Sequence, residues 1–147
     1  MYVALIAQWQ RRILVDTALR RMSSCTLGTP RRDVSREARC VPCEGIGSAL
    51  SAEQVAELVA TKTPQWTTTP DTKRLHRTWV RPNFKDAMEF LNRIADVAEK
   101  EGHHPDLHLT NWNRVRVELW THALGGLTEN DFILAMKVDE IAEQGQK

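Results

Sequence analysis

Apolar residues recur every three to four positions in one stretch of the chain and every two in another. The two periods predict a helix and a strand. Phe84, Ala87, Met88, Leu91, Ile94, Ala95 and Ala98 repeat at i, i+3/i+4 and i+7, which is the spacing of one helical face. Asn83 stands where a capping side chain would start that helix. Gly102 stands just past its end, where a left-handed residue is favoured. From Arg114 to His122 the pattern is alternation. Val115, Val117 and Leu119 point one way, and Arg116, Glu118, Trp120 and His122 the other. That is a strand with one packed face and one partly open face.

The remaining elements fall around these two. Ser51 and Gln54 form a capping box for a helix that carries Val55, Leu58 and Val59, with Leu50 and Val55 as a hydrophobic staple. Pro64 ends it. Residues 66–69 and 73–80 read as the two strands of a hairpin, with Pro70-Asp71 at the turn. Residues 107–112 read as a third strand closed by a turn at Asn113. Gly125-Gly126 breaks the chain again, and Thr128 caps a last helix. Phe132, Ile133, Leu134, Met136, Val138 and Ile141 give that helix more than one apolar stripe, so it needs burial on more than one side. An oligomer interface and a wide internal contact both satisfy this. The order is α-β-β-α-β-β-α. It predicts an α+β fold, a four-stranded antiparallel sheet with helices on one face.

Charge divides the chain. Residues 1–39 hold eight Arg and three acidic residues, whereas residues 40–147 hold twelve basic and sixteen acidic ones. The acidic balance of the folded part argues against direct nucleic-acid binding. No apolar run is long enough to span a membrane. The first 39 residues are Arg-rich, Ser-containing, acid-poor and amphipathic, which is the pattern of an organellar transit peptide. A mitochondrial address is expected ahead of a plastid one. Residues 40–49, with Gly45-Ile46-Gly47, read as a linker, and 50–147 as the domain. Cys25, Cys40 and Cys43 make an odd count. Cys40-Val41-Pro42-Cys43 has no second pair, so a structural or incidental role comes before redox sensing or metal binding.

Three of the five histidines gather in one region: Gly102-His103-His104-Pro105-Asp106, then Trp120-Thr121-His122. Imidazole titrates nearest neutrality, so the cluster points to proton transfer or to metal binding. A zinc set would combine His103 or His104 with His108 and His122. Adjacent histidines rarely converge on one ion, and no thiolate or clear carboxylate completes a tetrahedron. The bland alternative is a solvated loop plus a surface strand residue. His76, on a predicted strand, reads as structural.

Three motifs in order then resemble one family. They are Glu99-x-x-Gly102-His103-His104-Pro105-Asp106, Asn113-x-Val115-x-Val117-x-Leu119-x-Thr121-His122, and Gly126-Leu127-Thr128-x-x-Asp131-x-x-Leu134-Ala135. Over residues 50–142 the chain is similar to the pterin-4a-carbinolamine dehydratases, and its Cys-Val-Pro-Cys-Glu-Gly lead-in looks like their plant-organelle branch. The resemblance implies a hydro-lyase, 4a-hydroxytetrahydrobiopterin dehydratase (EC 4.2.1.96). Its substrate would be the 4a-hydroxytetrahydropterin left by pterin-dependent aromatic amino acid hydroxylases, in tetrahydrobiopterin recycling. Loss of water gives a quinonoid dihydropterin with no cofactor and no metal. An acid must protonate the leaving hydroxyl and a base must take a ring-nitrogen proton, and histidines do both near neutral pH.

By the same resemblance His103, His104 and His122 form the site. His103 and His122 are expected as the acid–base pair, and His104 as the residue that positions the pterin. Pro105 restrains His104 toward extended backbone. Glu99, one helical turn before His103, is expected to orient it or to contact the pterin. Asp131 is a partner for a site histidine or only a helix cap. Thr121 and Trp66 complete the expected substrate contacts, with a core role for Trp66 weighed ahead. Three departures stand out: one extra residue between Pro105 and Val115, Gly102 where a polar residue is usual, and Asn130 where the animal enzymes carry Arg. The implied partners are the pterin and a homodimer or homotetramer built through the last helix. A hydroxylase or an assembly client is also possible, since some relatives act as interaction proteins, either as transcriptional coactivators or in rubisco assembly.

Overall fold

The computed structural model describes residues 34–42 and 47–144. The expected leader therefore lies outside the described residues, apart from its last six positions. Helix α1 (Ala52–Lys62) opens on the predicted capping box. The Ser51 N–H donates to Gln54 Oε1 at 2.8 Å, and the Gln54 N–H donates to Ser51 Oγ at 3.4 Å. Strands β1 (Thr67–Thr68) and β2 (Leu75–Val80) form the hairpin, and helix α2 (Phe84–Glu101) follows. Strands β3 (Asp106–Thr110) and β4 (Arg114–Leu119) form a second hairpin, and helix α3 (Glu129–Gln144) ends the fold. The sheet is antiparallel in the order β1-β2-β4-β3. The α+β architecture and its element order are as the sequence predicts.

Register fixes which side chains meet. Leu75 pairs with Leu119, Trp79 with Val115, and Leu109 with Val115. These residues share the face that packs on the helices. The centre of that layer is a chain of edge-on rings. Trp66 and Trp79 stand 5.6 Å apart at 79°, and Trp79 and Phe90 stand 5.4 Å apart at 69°. Each such pair adds about 0.5–1.5 kcal/mol beyond the area it buries.

Two expectations need correction. The third strand stops at Thr110, because Asn111 and Trp112 take positive φ (46° and 58°) and turn the hairpin. The fourth strand stops at Leu119, so His122 is not a strand residue. It opens a short 3₁₀ turn, His122–Leu124, which ends on left-handed Gly125. The last helix buries its apolar surface inside the chain. Phe132, Ile133, Leu134 and Ala135 are wholly buried in succession, whereas Lys137, Asp139 and Glu140 keep part of their surface open. Residues 34–42, the end of the expected leader and the start of the expected linker, touch the domain at three positions. Val34 joins the hydrophobic core at 5% exposure, with Ala38 and Cys40 packed against it.

Candidate active site

The end of α2 sets the backbone of the first histidine. Gly102 is left-handed (φ 63°), its N–H donates to Glu99 O at 3.2 Å, and the His103 N–H donates to Ala98 O at 3.2 Å. This doubly bonded helix ending fixes where the chain leaves the helix. The His103 ring then enters the protein and is only 4% exposed. Its Nε2 donates to Asp131 Oδ1 at 2.7 Å.

Asp131 has no exposed surface. A buried carboxylate is costly unless donors surround it, and here they do. Its Oδ2 accepts the Thr128 N–H at 2.8 Å, the Thr121 hydroxyl at 3.0 Å and the Thr128 hydroxyl at 3.3 Å. The two threonine hydroxyls lie 2.8 Å apart. One oxygen of Asp131 therefore caps α3 and the other faces His103, so the two roles weighed for it hold together. An ionised carboxylate only accepts, so the bond orients the His103 ring with Nε2 as its donor.

The third histidine arrives through Thr121. Asp106 pairs with Glu118 across the β3–β4 hairpin, so the His-His-Pro turn before β3 and the Thr121-His122 segment after β4 share one end of the sheet. Asp131 bonds to His103 and to Thr121, tying the two segments to one carboxylate. His122 is exposed, and its ring meets Trp120 edge-on, with centroids 4.1 Å apart at 68°. Trp120 is itself held. Its Nε1 donates to Asp106 Oδ2 at 3.1 Å, and the Arg74 guanidinium lies 4.2 Å from its centroid. Arg74 pairs with Glu118 Oε1 at 2.6 Å, and Arg116 with Glu118 Oε2 at 2.6 Å. Burial pushes the Glu118 carboxyl up, but the hydrogen bonds and charges of the two arginines outweigh it and hold the group below the usual carboxylate range.

The other expected residues separate. His104 is exposed, and its Nε2 meets Glu99 Oε2 at 2.9 Å. Glu99 thus partners His104, not His103, because the left-handed turn at Gly102 brings His104 back over the helix end. With side chains 62% and 81% exposed, that pair contributes little to stability. Pro105 is half-buried between His104 and β3. Thr121 is wholly buried, and its hydroxyl donates to Asp131 Oδ2. Trp66 is a core residue. It is 3% exposed, and its Nε1 donates to both oxygens of Asp139 at 2.9 and 3.0 Å.

Arg74, Asp106, Trp120 and Thr128 were not anticipated in the site. The spacing Thr128-x-x-Asp131 is a capping-box signal that could have found the threonine, whereas Arg74 reaches Trp120 only through tertiary structure. His108 lies elsewhere, in a groove of about 460 Å³ on the outer sheet face with Thr78, Thr110, Arg114, Arg116 and Glu118. Among the described residues no three His, Cys, Asp or Glu side chains form a set able to hold a metal ion.

Comparison with known proteins bears on this arrangement. The family model for Pterin 4 alpha carbinolamine dehydratase matches residues 48–141. The chain belongs to that family. An Arabidopsis thaliana relative, "Pterin-4-alpha-carbinolamine dehydratase 2, mitochondrial", is 50% identical over 105 residues, covering 70% of this chain and 56% of that protein. A Legionella pneumophila (strain Corby) sequence, named as a candidate pterin-4-alpha-carbinolamine dehydratase, is 45% identical over 102 residues, 69% of this chain and 89% of its own length. Among solved structures, the transcriptional coactivator/pterin dehydratase from Brucella melitensis superimposes with a TM-score of 0.59 at 30% identity. That match covers 65% of this chain and 99% of the Brucella one. The span matched by the family model holds all three site histidines and Asp131.

Proposed function

We propose that the chain is an active dehydratase (EC 4.2.1.96) that converts 4a-hydroxytetrahydropterin to quinonoid dihydropterin and water. The observation that carries this reading is the His103–Asp131 bond at 2.7 Å, anchored through Thr121 beside exposed His122. Family membership supports the substrate class, and the His103–Asp131 bond and the exposed His122 ring support the acid–base roles. His103, braced from behind by Asp131, takes a proton from the ring-nitrogen side. His122, exposed and steadied by Trp120, gives a proton to the 4a-hydroxyl as the C4a–O bond breaks. The hydroxyl leaves as water, and the two histidines return to their starting states once a proton passes back through solvent. His104 and Glu99, both exposed, meet the pterin from the helix end. Acid–base catalysis of this kind supplies about 10²–10⁴ in rate, enough for a dehydration that already proceeds slowly unaided.

The physiological setting follows from the same reading. The product is the oxidised pterin that a reductase returns to the hydroxylases, so the enzyme belongs to pterin recycling. The Arg-rich leader and the Arabidopsis relative's mitochondrial name favour import into mitochondria. The test is dehydration of 4a-hydroxytetrahydropterin generated in situ by a pterin-dependent hydroxylase, comparing the parent with His103→Ala, His104→Ala and His122→Ala. Acceleration lost in the His103 and His122 variants supports the assignment. A folded parent that does not exceed buffer overturns it and leaves the interaction role of other family members as the better reading.

A further inference from the structure

The segment before the family-matched region grips the two stretches of backbone that carry the His103–Asp131 pair. Val34 is anchored in the core, and Arg36 pairs with Glu140 of α3 at 3.1 Å. Further along, the Cys40 N–H donates to Glu101 Oε2 at 3.0 Å, and the Cys40 thiol lies 3.7 Å from Asn130 O. The Asn130 carboxamide closes on Val41 from both sides. Its Oδ1 accepts the Val41 N–H at 3.1 Å, and its Nδ2 donates to Val41 O at 2.8 Å. Only a side chain that donates and accepts at one planar group can copy strand pairing in this way. Arginine, a donor only, cannot, which accounts for the departure at this position.

The placement gives the grip its meaning. Asn130 is wholly buried and directly precedes Asp131. Glu101 directly precedes Gly102, whose left-handed turn delivers His103. Glu101 is also held by Lys137 of α3 at 2.7 Å. Two consecutive arm residues therefore bond to the residue before the carboxylate and to the helix end before the base.

We infer that the Cys40–Val41 arm, acting through Asn130 and Glu101, is a positioning clamp for the His103–Asp131 pair. The inference rests on the reading that this pair performs the dehydration. Displacing a catalytic pair by a fraction of an ångström lowers turnover without changing substrate affinity, whereas a purely structural strap affects stability alone.

The experiment uses the full chain and the dehydration assay at a temperature where every variant is folded. It compares the parent, Asn130→Ala, deletion of residues 34–42, the two combined, and His103→Ala. The expected result is a fall in kcat of about tenfold in Asn130→Ala with KM held within about twofold. The deletion should fall similarly, and the combination no further, because both changes break one contact. If the deletion does not fold, the kcat-against-KM split of Asn130→Ala decides alone. A parental kcat in Asn130→Ala beside an inactive His103→Ala overturns the clamp and leaves the enzyme assignment standing. An active His103→Ala overturns both.

Discussion

Replacing Asp131 by Asn changes one atom's chemistry and almost no volume, and the surroundings dictate the outcome. The side chain faces four donors: His103 Nε2, Thr121 Oγ1, Thr128 N and Thr128 Oγ1. An amide has one oxygen and one NH2. The hydroxyls can rotate to accept, but the Thr128 backbone N–H cannot, so the amide oxygen must stay on its side. The NH2 then faces His103 and requires Nε2 to accept. The ring shifts to the other tautomer, and its lone pair turns toward the introduced amide. The base is lost while its position is kept. General acid–base terms of about 10²–10⁴ put the expected fall in kcat at about 10²–10³, or about 2.7–4 kcal/mol of barrier at 1.36 kcal/mol per tenfold. Stability falls by about 1–3 kcal/mol from the altered hydrogen bonding. Thr121→Val is the control. It removes one donor to Asp131, costs about 1 kcal/mol, and leaves the His103 bond, so its kcat stays closer to the parent's. Stopped-flow dehydration kinetics give kcat and KM for each, and circular dichroism checks the fold. A folded Asp131→Asn enzyme with kcat within about threefold of the parent would refute the oriented-base reasoning.

Gly102→Ala meets no neighbouring atom, since nothing lies within 4 Å of the added Cβ, but it must adopt φ 63°. The cost is about 1–2 kcal/mol of strain, read as a lower urea midpoint, and an unchanged midpoint counts against the doubly bonded helix ending. Glu101 gives a pH signature. Burial pushes its carboxyl up, but Lys137 and the Cys40 N–H outweigh this and hold it below its ordinary value of 4.5. A depressed carboxylate stabilises the fold above the unfolded value and loses that contribution as pH falls through the folded one. Glu101→Gln should therefore be less stable than the parent at neutral pH, with the gap closing in acid, and a gap independent of pH contradicts the assignment. Removing residues 1–47 takes Val34 from the core and should cost at least about 1.5–3 kcal/mol relative to removing 1–33. Equal midpoints for the two truncations contradict the packing of the arm.

Much of this molecule could be read in its sequence, where local rules and tertiary structure agree. Ser51–Gln54, Asn83 and Gly102 are helix-end signals that depend only on neighbours in the chain, and each is realised. The alternation of Val115, Val117 and Leu119 located the core face of β4 without any knowledge of its partners. The sequence is less decisive where one pattern has two physical outcomes. Alternation continues through His122 in the sequence, yet Gly125-Gly126 lets the chain curl after Leu119. The broad apolar surface of α3 cannot itself say whether this chain or another copy covers it. Residues 34–42 carry no periodic pattern, so the contact of Val34 and Cys40 with the core emerges only in three dimensions. In the site, the three histidines were found by motif, but their partners were assigned by sequence distance. Glu99 went to His103 because it lies four residues away, and the left-handed turn at Gly102 gives it to His104 instead.

A crystal structure of the protein with a bound dihydropterin tests the central claim most directly. The bicyclic ring is expected at the end of the sheet, with its C4a edge between the His103 and His122 rings and the groove beside His108 and Arg116 left clear. A pterin seated in that outer-face groove, away from His103, would contradict it.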